Sequence, residues 1–214
     1  MLIIAAAAPG LEPLRDRIIA DSRSMSASSL SFDRSTHLVR TGGGTRTNIA
    51  RVERWDGRAW TLVSLNGKPP TSSEKRNAEK LAAAAPVPGY HRLAPLLAAA
   101  SETSTDGDGR TVLRIPVLPP NSVRTDSADI SSHLKADVTL SSRGGQVWVE
   151  RVRVTQREPF KLSALIKVKS FEQVSDYQLD SQGRPRLSSQ SADSLGTMFG
   201  FSGGEKSEIT YSYR

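Results

Sequence analysis

Two stretches decide the fold: QVWVERVRVT at residues 146–155 and KLSALIKVKSFEQVSDYQLD at residues 161–180. Apolar side chains recur at every second position in both, which is the period of a β-strand with one buried face. In the first stretch the alternation changes phase between Val149 and Val152, and this predicts a β-bulge. The second stretch is long enough for one bent strand.

The same period continues on both sides of these stretches, and short turn signals such as Asp56-Gly57 separate the segments. We expect nine to eleven strands in an antiparallel meander, because connections this short exclude parallel βαβ units. Helical spacing indicates a helix over 11–25, one over 72–85 that opens on a capping box from Thr71 to Glu74, and a short one over 91–100. The predicted fold class is mainly β: a curved antiparallel sheet covered by two or three helices.

The 214 residues suit one large domain, which we place at residues 11–214. Residues 1–10, MLIIAAAAPG, combine a short apolar run with small residues before a Pro-Gly break. They fit the end of a secretory signal peptide, or an ordinary apolar N-terminus. The first interpretation predicts an exported protein.

Composition excludes several classes of function. The chain has no cysteine, so disulfides, thiolate metal sites, a cysteine nucleophile and cysteine lipidation are all excluded. The formal net charge is +7, but acidic residues interrupt the basic ones and no dense Lys/Arg block occurs. We therefore expect a basic solvated surface rather than a nucleic-acid interface.

No group of residues predicts catalysis, a metal or a cofactor. His37, His91 and His133 lie far apart without acidic partners at helical spacing, and the serines lack a nucleophile-elbow pattern. The segment Asp106–Gly109 lacks the glutamate that ends a calcium loop, so a hairpin turn is the better interpretation. We expect a protein that is not an enzyme.

Apolar side chains projecting from the strands and from the short third helix are the candidates for a ligand cavity, because a curved sheet lined in this way is filled by its own side chains or holds a ligand. The candidates are Trp60, Leu62, Leu93, Leu97, Trp148, Ile166, Val168, Phe171, Tyr177, Phe199 and Phe201. The last two belong to an apolar segment, Met198 to Phe201, flanked by glycines. This segment suits a core plug or an exposed lip, and the sequence leaves both open.

Basic side chains alternate with apolar ones on two of the strands: Arg151, Arg153, Lys167 and Lys169. The pleat sends all four to one solvent face. That face is either a solvated outer surface or a docking face for an acidic protein or an anionic membrane surface.

The stretch WTLVSLNGKPPT at residues 60–71, followed by a charged helix, resembles the outer-membrane lipoprotein carrier and receptor group, the LolA/LolB-like family. EPFK at 158–161, FEQ at 171–173 and ITY at 209–211 are similar to the later part of the same proteins, so the resemblance spans about residues 30–214. It implies an unclosed β-barrel with helices across its mouth, a periplasmic location and an apolar cavity for acyl chains. The LolB-type receptor is an acylated lipoprotein, and here the chain departs from the family because it has no cysteine to acylate.

These observations together predict a periplasmic protein that shelters the acyl chains of a lipid or lipoprotein, in lipid or lipoprotein trafficking to the outer membrane. The alternative is a non-enzymatic protein-interaction or stress-sensing module of the cell envelope that uses the basic strand face. A hydrolase is the weakest hypothesis, since no acid, base or nucleophile set is recognisable.

Overall fold

Strand-forming segments dominate the computed structural model, which describes residues 11–83, 85–125 and 128–214. Three helices and eleven strands follow one another along the chain. Their bounds are α1 Leu11–Arg23, β1 Phe32–Gly42, β2 Thr45–Trp55, β3 Trp60–Leu65, α2 Ser72–Ala83, α3 Leu93–Ala98, β4 Glu102–Thr105, β5 Thr111–Ile115, β6 Leu134–Arg143, β7 Gln146–Gln156, β8 Phe160–Lys161, β9 Ile166–Leu179, β10 Pro185–Met198 and β11 Phe201–Tyr213. The predicted fold class and strand number are confirmed.

All strands form one curved, unclosed antiparallel sheet in the order β3-β2-β1-β11-β10-β9-β7-β6-β5-β4, with β8 paired to β9. The first strand β1 pairs over its whole length with the final strand β11, from Phe32 opposite Tyr213 to Gly42 opposite Gly203. This pairing joins the first three strands to the rest. The helices α2 and α3 lie in the connection between the two groups of strands.

Local signals in the sequence account for several details. The predicted bulge is present at Glu150, where the register between β6 and β7 shifts. The capping box begins α2 as expected: the Glu74 carboxylate accepts from the Thr71 N–H at 2.7 Å, and the Glu74 N–H donates to the Thr71 hydroxyl at 3.3 Å. Residues 106–110 form the hairpin turn between β4 and β5.

One half of the sheet carries the main core. The helices α1 and α3 pack on each other and on β5 and β7. Fully buried side chains from these elements and from β6 fill the layer between them: Ile18, Leu97, Leu113, Leu134, Val138 and Val149. Ser22 ties the helices together, because its buried hydroxyl donates to the Tyr90 carbonyl at 2.9 Å and accepts from the Ala94 N–H at 3.1 Å.

The other half extends beyond the helices. We call this the distal end of the sheet: the β1–β2 turn, the β10–β11 turn and the first residues of β9. The segment Met198 to Phe201 is a two-residue hairpin turn with Phe199 and Gly200 in the left-handed region, at φ 53° and 83°. Phe199 and Phe201 are 64% and 70% exposed, so this segment is an exposed lip and not a core plug.

Candidate functional site

The structure divides the predicted cavity residues into two groups. Four side chains, Trp60, Leu62, Leu97 and Trp148, are buried in the helix-covered half. Leu93 and Tyr177 line a small pocket of about 260 Å³ that lies between α3, the 118–123 segment and the sheet. The first group therefore contributes mainly to the core.

Tyr177 is held at this small pocket by a second buried aromatic ring. Tyr90 packs edge to face against it at 5.5 Å, and the Tyr90 hydroxyl accepts a hydrogen bond from the Val149 N–H at 3.0 Å. Burial raises the pKa of Tyr90 to about 12, and it raises the pKa of Tyr177 further. Neither phenol supplies a phenolate at neutral pH, so both act as packing groups here.

The second group of predicted residues lies at the distal end. Ile166, Val168, Phe199 and Phe201 line a groove of about 620 Å³, together with Met198 and a series of glycines. We call it the distal groove. Met198 lies directly opposite both Ile166 and Phe201, so these three side chains form one apolar row across β9, β10 and β11.

Three glycines form the next row inward: Gly42, Gly203 and Gly196 pair with one another across β1, β11 and β10. Because none carries a side chain, backbone atoms form the floor of the distal groove. A Cβ at Gly196 would lie 2.4 Å from the Lys167 carbonyl oxygen, and one at Gly203 would lie 2.6 Å from that of Thr41. These two glycines are needed for the close approach of the strands.

The distal groove lies on the face of the sheet that the helices cover further along. Phe171 and Val168 pack against the edge of the core. Their partners on β10 are Ser194 and Gly196, and directly opposite residues share a face. Phe171, the remaining predicted cavity residue, thus lies between the core and the distal groove.

The predicted list of cavity residues omits Met198 and the glycine row, although the sequence analysis singled out the segment Met198 to Phe201 and its flanking glycines. A local signal exists: Gly196, Met198, Phe201 and Gly203 are symmetric about Phe199-Gly200. If those two central residues form a tight turn, each glycine faces the other and Met198 faces Phe201. Gly42 could not be predicted as part of the site in this way, because its place in the row depends on the long-range pairing of β1 with β11, which no local pattern indicates.

A buried ionic cluster lies on the same face of β1 and β2 as the buried ring of Trp55. On β1 and β2, the Arg34 guanidinium donates to the Glu53 carboxylate at 2.7 and 3.1 Å, and Arg51 lies 3.2 Å from the same oxygen. Arg34 also lies over the Trp60 ring at 4.2 Å. Two cations around one buried carboxylate compensate its desolvation and fix these strands in register.

The four basic side chains predicted as a docking face differ in whether they form ion pairs. Arg151 pairs with Asp176 and Arg153 pairs with Glu172, on neighbouring strands. Lys167 and Lys169 are exposed, and neither has a carboxylate within ion-pair distance in residues 11–83, 85–125 and 128–214. Of these four cations, the two lysines lie close to the distal groove and have no ion-pair partner among the described residues.

The three histidines lie in separate environments. The His133 ring stacks on Phe160 at 4.3 Å, and burial lowers the pKa of His91, followed by the effect of the Arg92 charge. Within the described part of the chain, no three His, Cys, Asp or Glu residues come together in a way that suits a metal ion. Its helices also include none that is long and apolar enough to cross a bilayer.

Comparisons with known proteins add little to this geometry. No protein-family model matches the chain, and no curated protein matches it. Among solved structures, a LolA superfamily protein from Nitrosomonas europaea is similar over 92% of this chain and 91% of its own, at 9% identity and a TM-score of 0.23. A likeness this weak carries no argument about family or ligand, so the distal groove itself is the finding on which function has to be based.

Proposed function

We propose that the protein binds an acyl chain of a lipid or lipoprotein in the distal groove, without catalysing a reaction. The observation that carries the proposal is the combination of a groove of about 620 Å³, a backbone floor and walls of Ile166, Val168, Met198 and Phe201. Apolar walls around an open groove are the lining of a hydrophobic ligand site. These walls offer an acyl chain contact area, and the charged part of the lining consists of Lys167 and the Arg40–Glu205 ion pair.

The face between the two pockets is suited to an elongated ligand. Gln190 lines the small pocket and Gly196 lines the distal groove, and the intervening residues of β10 that share their face are Ala192 and Ser194. From Gln190 to Met198 the strand advances about 26 Å at its usual rise per residue. One leaflet of a bilayer is about 15 Å of hydrocarbon, so a single acyl chain fits along this row.

The energy of binding follows from burial. Each methylene removed from water contributes about 0.8 kcal/mol. Ten buried methylenes give about 8 kcal/mol, which corresponds to a dissociation constant of about 1 μM before ordering costs are subtracted. We expect micromolar or weaker affinity, which suits reversible carriage.

Filling the groove floor is the direct test. Gly42 is the permissive glycine of the row: its φ is negative, and an added Cβ meets only the Gly203 Cα at 3.9 Å. In Gly42→Val the side chain displaces about two ligand methylenes, so a fluorescent fatty acid should bind about tenfold more weakly. The matched control is Asn48→Val, an exposed position on the opposite face of β2, which should bind normally. Equal affinity of both variants and the native protein would place the ligand elsewhere.

We further propose that this binding takes place in the periplasm, in lipid or lipoprotein trafficking to the outer membrane. The support is the apolar, small-residue run at residues 1–10, which fits the end of a secretory signal peptide. A reporter enzyme fused behind the native start of the gene product should be exported. A reporter retained in the cytoplasm would overturn the location, whereas fatty-acid binding in vitro would be unaffected.

A further inference from the structure

Exposed apolar side chains concentrate at the end of the distal groove. Eight large hydrophobic side chains are exposed in the described parts of the chain, and five belong to this region. We call them the tip cluster: Leu165, Leu195, Met198, Phe199 and Phe201. The Phe199 N–H donates to the Leu165 carbonyl at 3.0 Å, which holds the start of β9 against the β10–β11 turn. Because side chains alternate along β10, Leu195 projects from the opposite face of the sheet to Met198, so the tip cluster is exposed on both faces of the distal end.

The turn itself does not require an aromatic residue. Phe199 has a φ of 53°, in the left-handed region where tight hairpin turns favour Asn, Asp or Gly. A bulky residue is unfavourable there. Since the ring is also 64% exposed, it gains no core packing in return. A phenylalanine at this position is best explained by a contact outside the chain.

Cations without partners surround the tip cluster. Arg46, Lys161, Lys167 and Lys169 lie within a few residues of the distal end, and none pairs with a carboxylate in the described residues. Of the acidic residues at this end, Glu205 is already paired with Arg40, and the exposed Asp193 lies opposite Lys206 on β11. The four cations therefore give this end an excess of positive charge, which complements anionic lipid headgroups rather than another copy of this basic chain.

From this arrangement we infer that the tip cluster docks on a lipid leaflet rich in anionic headgroups, with the phenylalanines in the interface and the four cations against the headgroups. The inference rests on the proposed function in one respect: docking places the open end of the distal groove at the leaflet, where an acyl chain enters or leaves. Aromatic rings and basic side chains are the groups that bind at such an interface.

The test compares vesicle binding with fatty-acid binding, because each has its own variant. Vesicles containing phosphatidylglycerol should sediment the protein, and pure phosphatidylcholine vesicles should do so at least tenfold less efficiently. The triple variant Arg46→Glu, Lys161→Glu and Lys169→Glu avoids the groove lining and should bind anionic vesicles at least a hundredfold more weakly, since each cation contributes about fivefold. Its affinity for the fluorescent fatty acid should be unchanged.

A charge-matched control reverses three exposed arginines at the opposite, helix-covered end: Arg23, Arg58 and Arg143. That control should retain most of its vesicle binding. The apolar contact has its own pair of variants, in which Phe199→Ser loses vesicle binding whereas Leu81→Ser, equally exposed on α2, does not.

Two further results decide the interpretation. Gly42→Val should lose fatty-acid affinity and keep vesicle binding, so failure of the groove proposal and failure of the docking proposal are separate outcomes. Equal loss in the distal and control triple variants would show a general charge effect and overturn docking at the tip. If the native protein binds neither type of vesicle and instead forms dimers that Phe199→Ser disrupts, the partner of the tip cluster is a second copy of the chain. That result would also overturn the docking proposal.

Discussion

Alanine substitution at two glycines of the same row should change the stability of the fold in opposite directions. Gly42 and Gly196 both pair directly with Gly203, one on β1 and the other on β10. A Cβ at Gly42 has only the Gly203 Cα nearby, at 3.9 Å, whereas a Cβ at Gly196 would lie 2.4 Å from the Lys167 carbonyl oxygen. Alanine is therefore compatible with the native backbone at the first position and incompatible at the second.

The expected magnitudes follow from these distances. Where the backbone allows it, replacing a strand glycine by alanine raises the free energy of unfolding by about 0.5–1 kcal/mol, because the unfolded chain loses conformational entropy. At Gly196 the same gain is outweighed by the displacement of β9 from β10, a packing strain of about 1–3 kcal/mol. For a chain of this size 1 kcal/mol shifts the melting temperature by about 2–4 °C.

Thermal unfolding followed by circular dichroism, with urea denaturation as the second measurement, separates the two cases. We expect a higher melting temperature for Gly42→Ala and a lower one for Gly196→Ala, with unchanged urea m-values. If both substitutions moved the melting temperature in the same direction by the same amount, the close approach of β9 and β10 described here would be refuted.

Three further outcomes concern groups that support the sheet and its helices. Ser22→Ala leaves two buried backbone groups without their partner, so urea denaturation should show a loss of about 2 kcal/mol. Glu53→Gln removes the charge shared by Arg34 and Arg51 and should cost about 2 kcal/mol, with Glu53→Asp failing to restore it because the shorter side chain does not reach both guanidiniums. Burial opposes ionisation of Asp180, but hydrogen bonds from the 180–186 turn hold its pKa at about 2, below the ordinary 3.8. A lowered pKa stabilises the fold above pH 4, and this contribution is lost as the pH falls toward 2; the stability difference between the native protein and Asp180→Asn should shrink over that range, and a constant difference would contradict the assignment.

Sequence patterns were sufficient to predict those elements that local interactions determine. The bulge near Val149 was predictable because the apolar phase changes there, and the start of α2 was predictable because a capping box is a local signal. The hairpin at Asp56-Gly57 was predictable for the same reason. In each case the deciding interaction lies within a few residues of the chain.

The distal end was less predictable because its strands carry little apolar alternation. Residues 188–197 of β10 are mostly serine, alanine and glycine, and in β11 a Ser-Gly-Gly run follows Phe201. Their strand structure comes from hydrogen-bonded pairing with β9 and β1, which is set by long-range register. The segment at Phe199 was recognised as apolar, but its position in one groove with the β1–β2 turn depends on that pairing.

The distribution of the predicted cavity residues has a similar cause. Period-two patterns show which side chains share a face, and they do not show which part of that face a helix covers. Trp60 and Trp148 lie in the core, whereas Ile166 and Val168 line an open groove, although all four belong to strands with apolar side chains at alternate positions. The difference depends on where the helices pack: α2 contacts β3, and α1 contacts β7.

Photocrosslinking tests the central claim most directly. A fatty acid with a photoreactive group along its chain, bound to the native protein and irradiated, should label peptides covering residues 166–168 and 196–203, the walls and floor of the distal groove. Excess unlabelled fatty acid should abolish this labelling. Labels confined to peptides of α1, α3 and β6 would show that the acyl chain binds within the helix-covered half, and the distal groove would then not be the binding site.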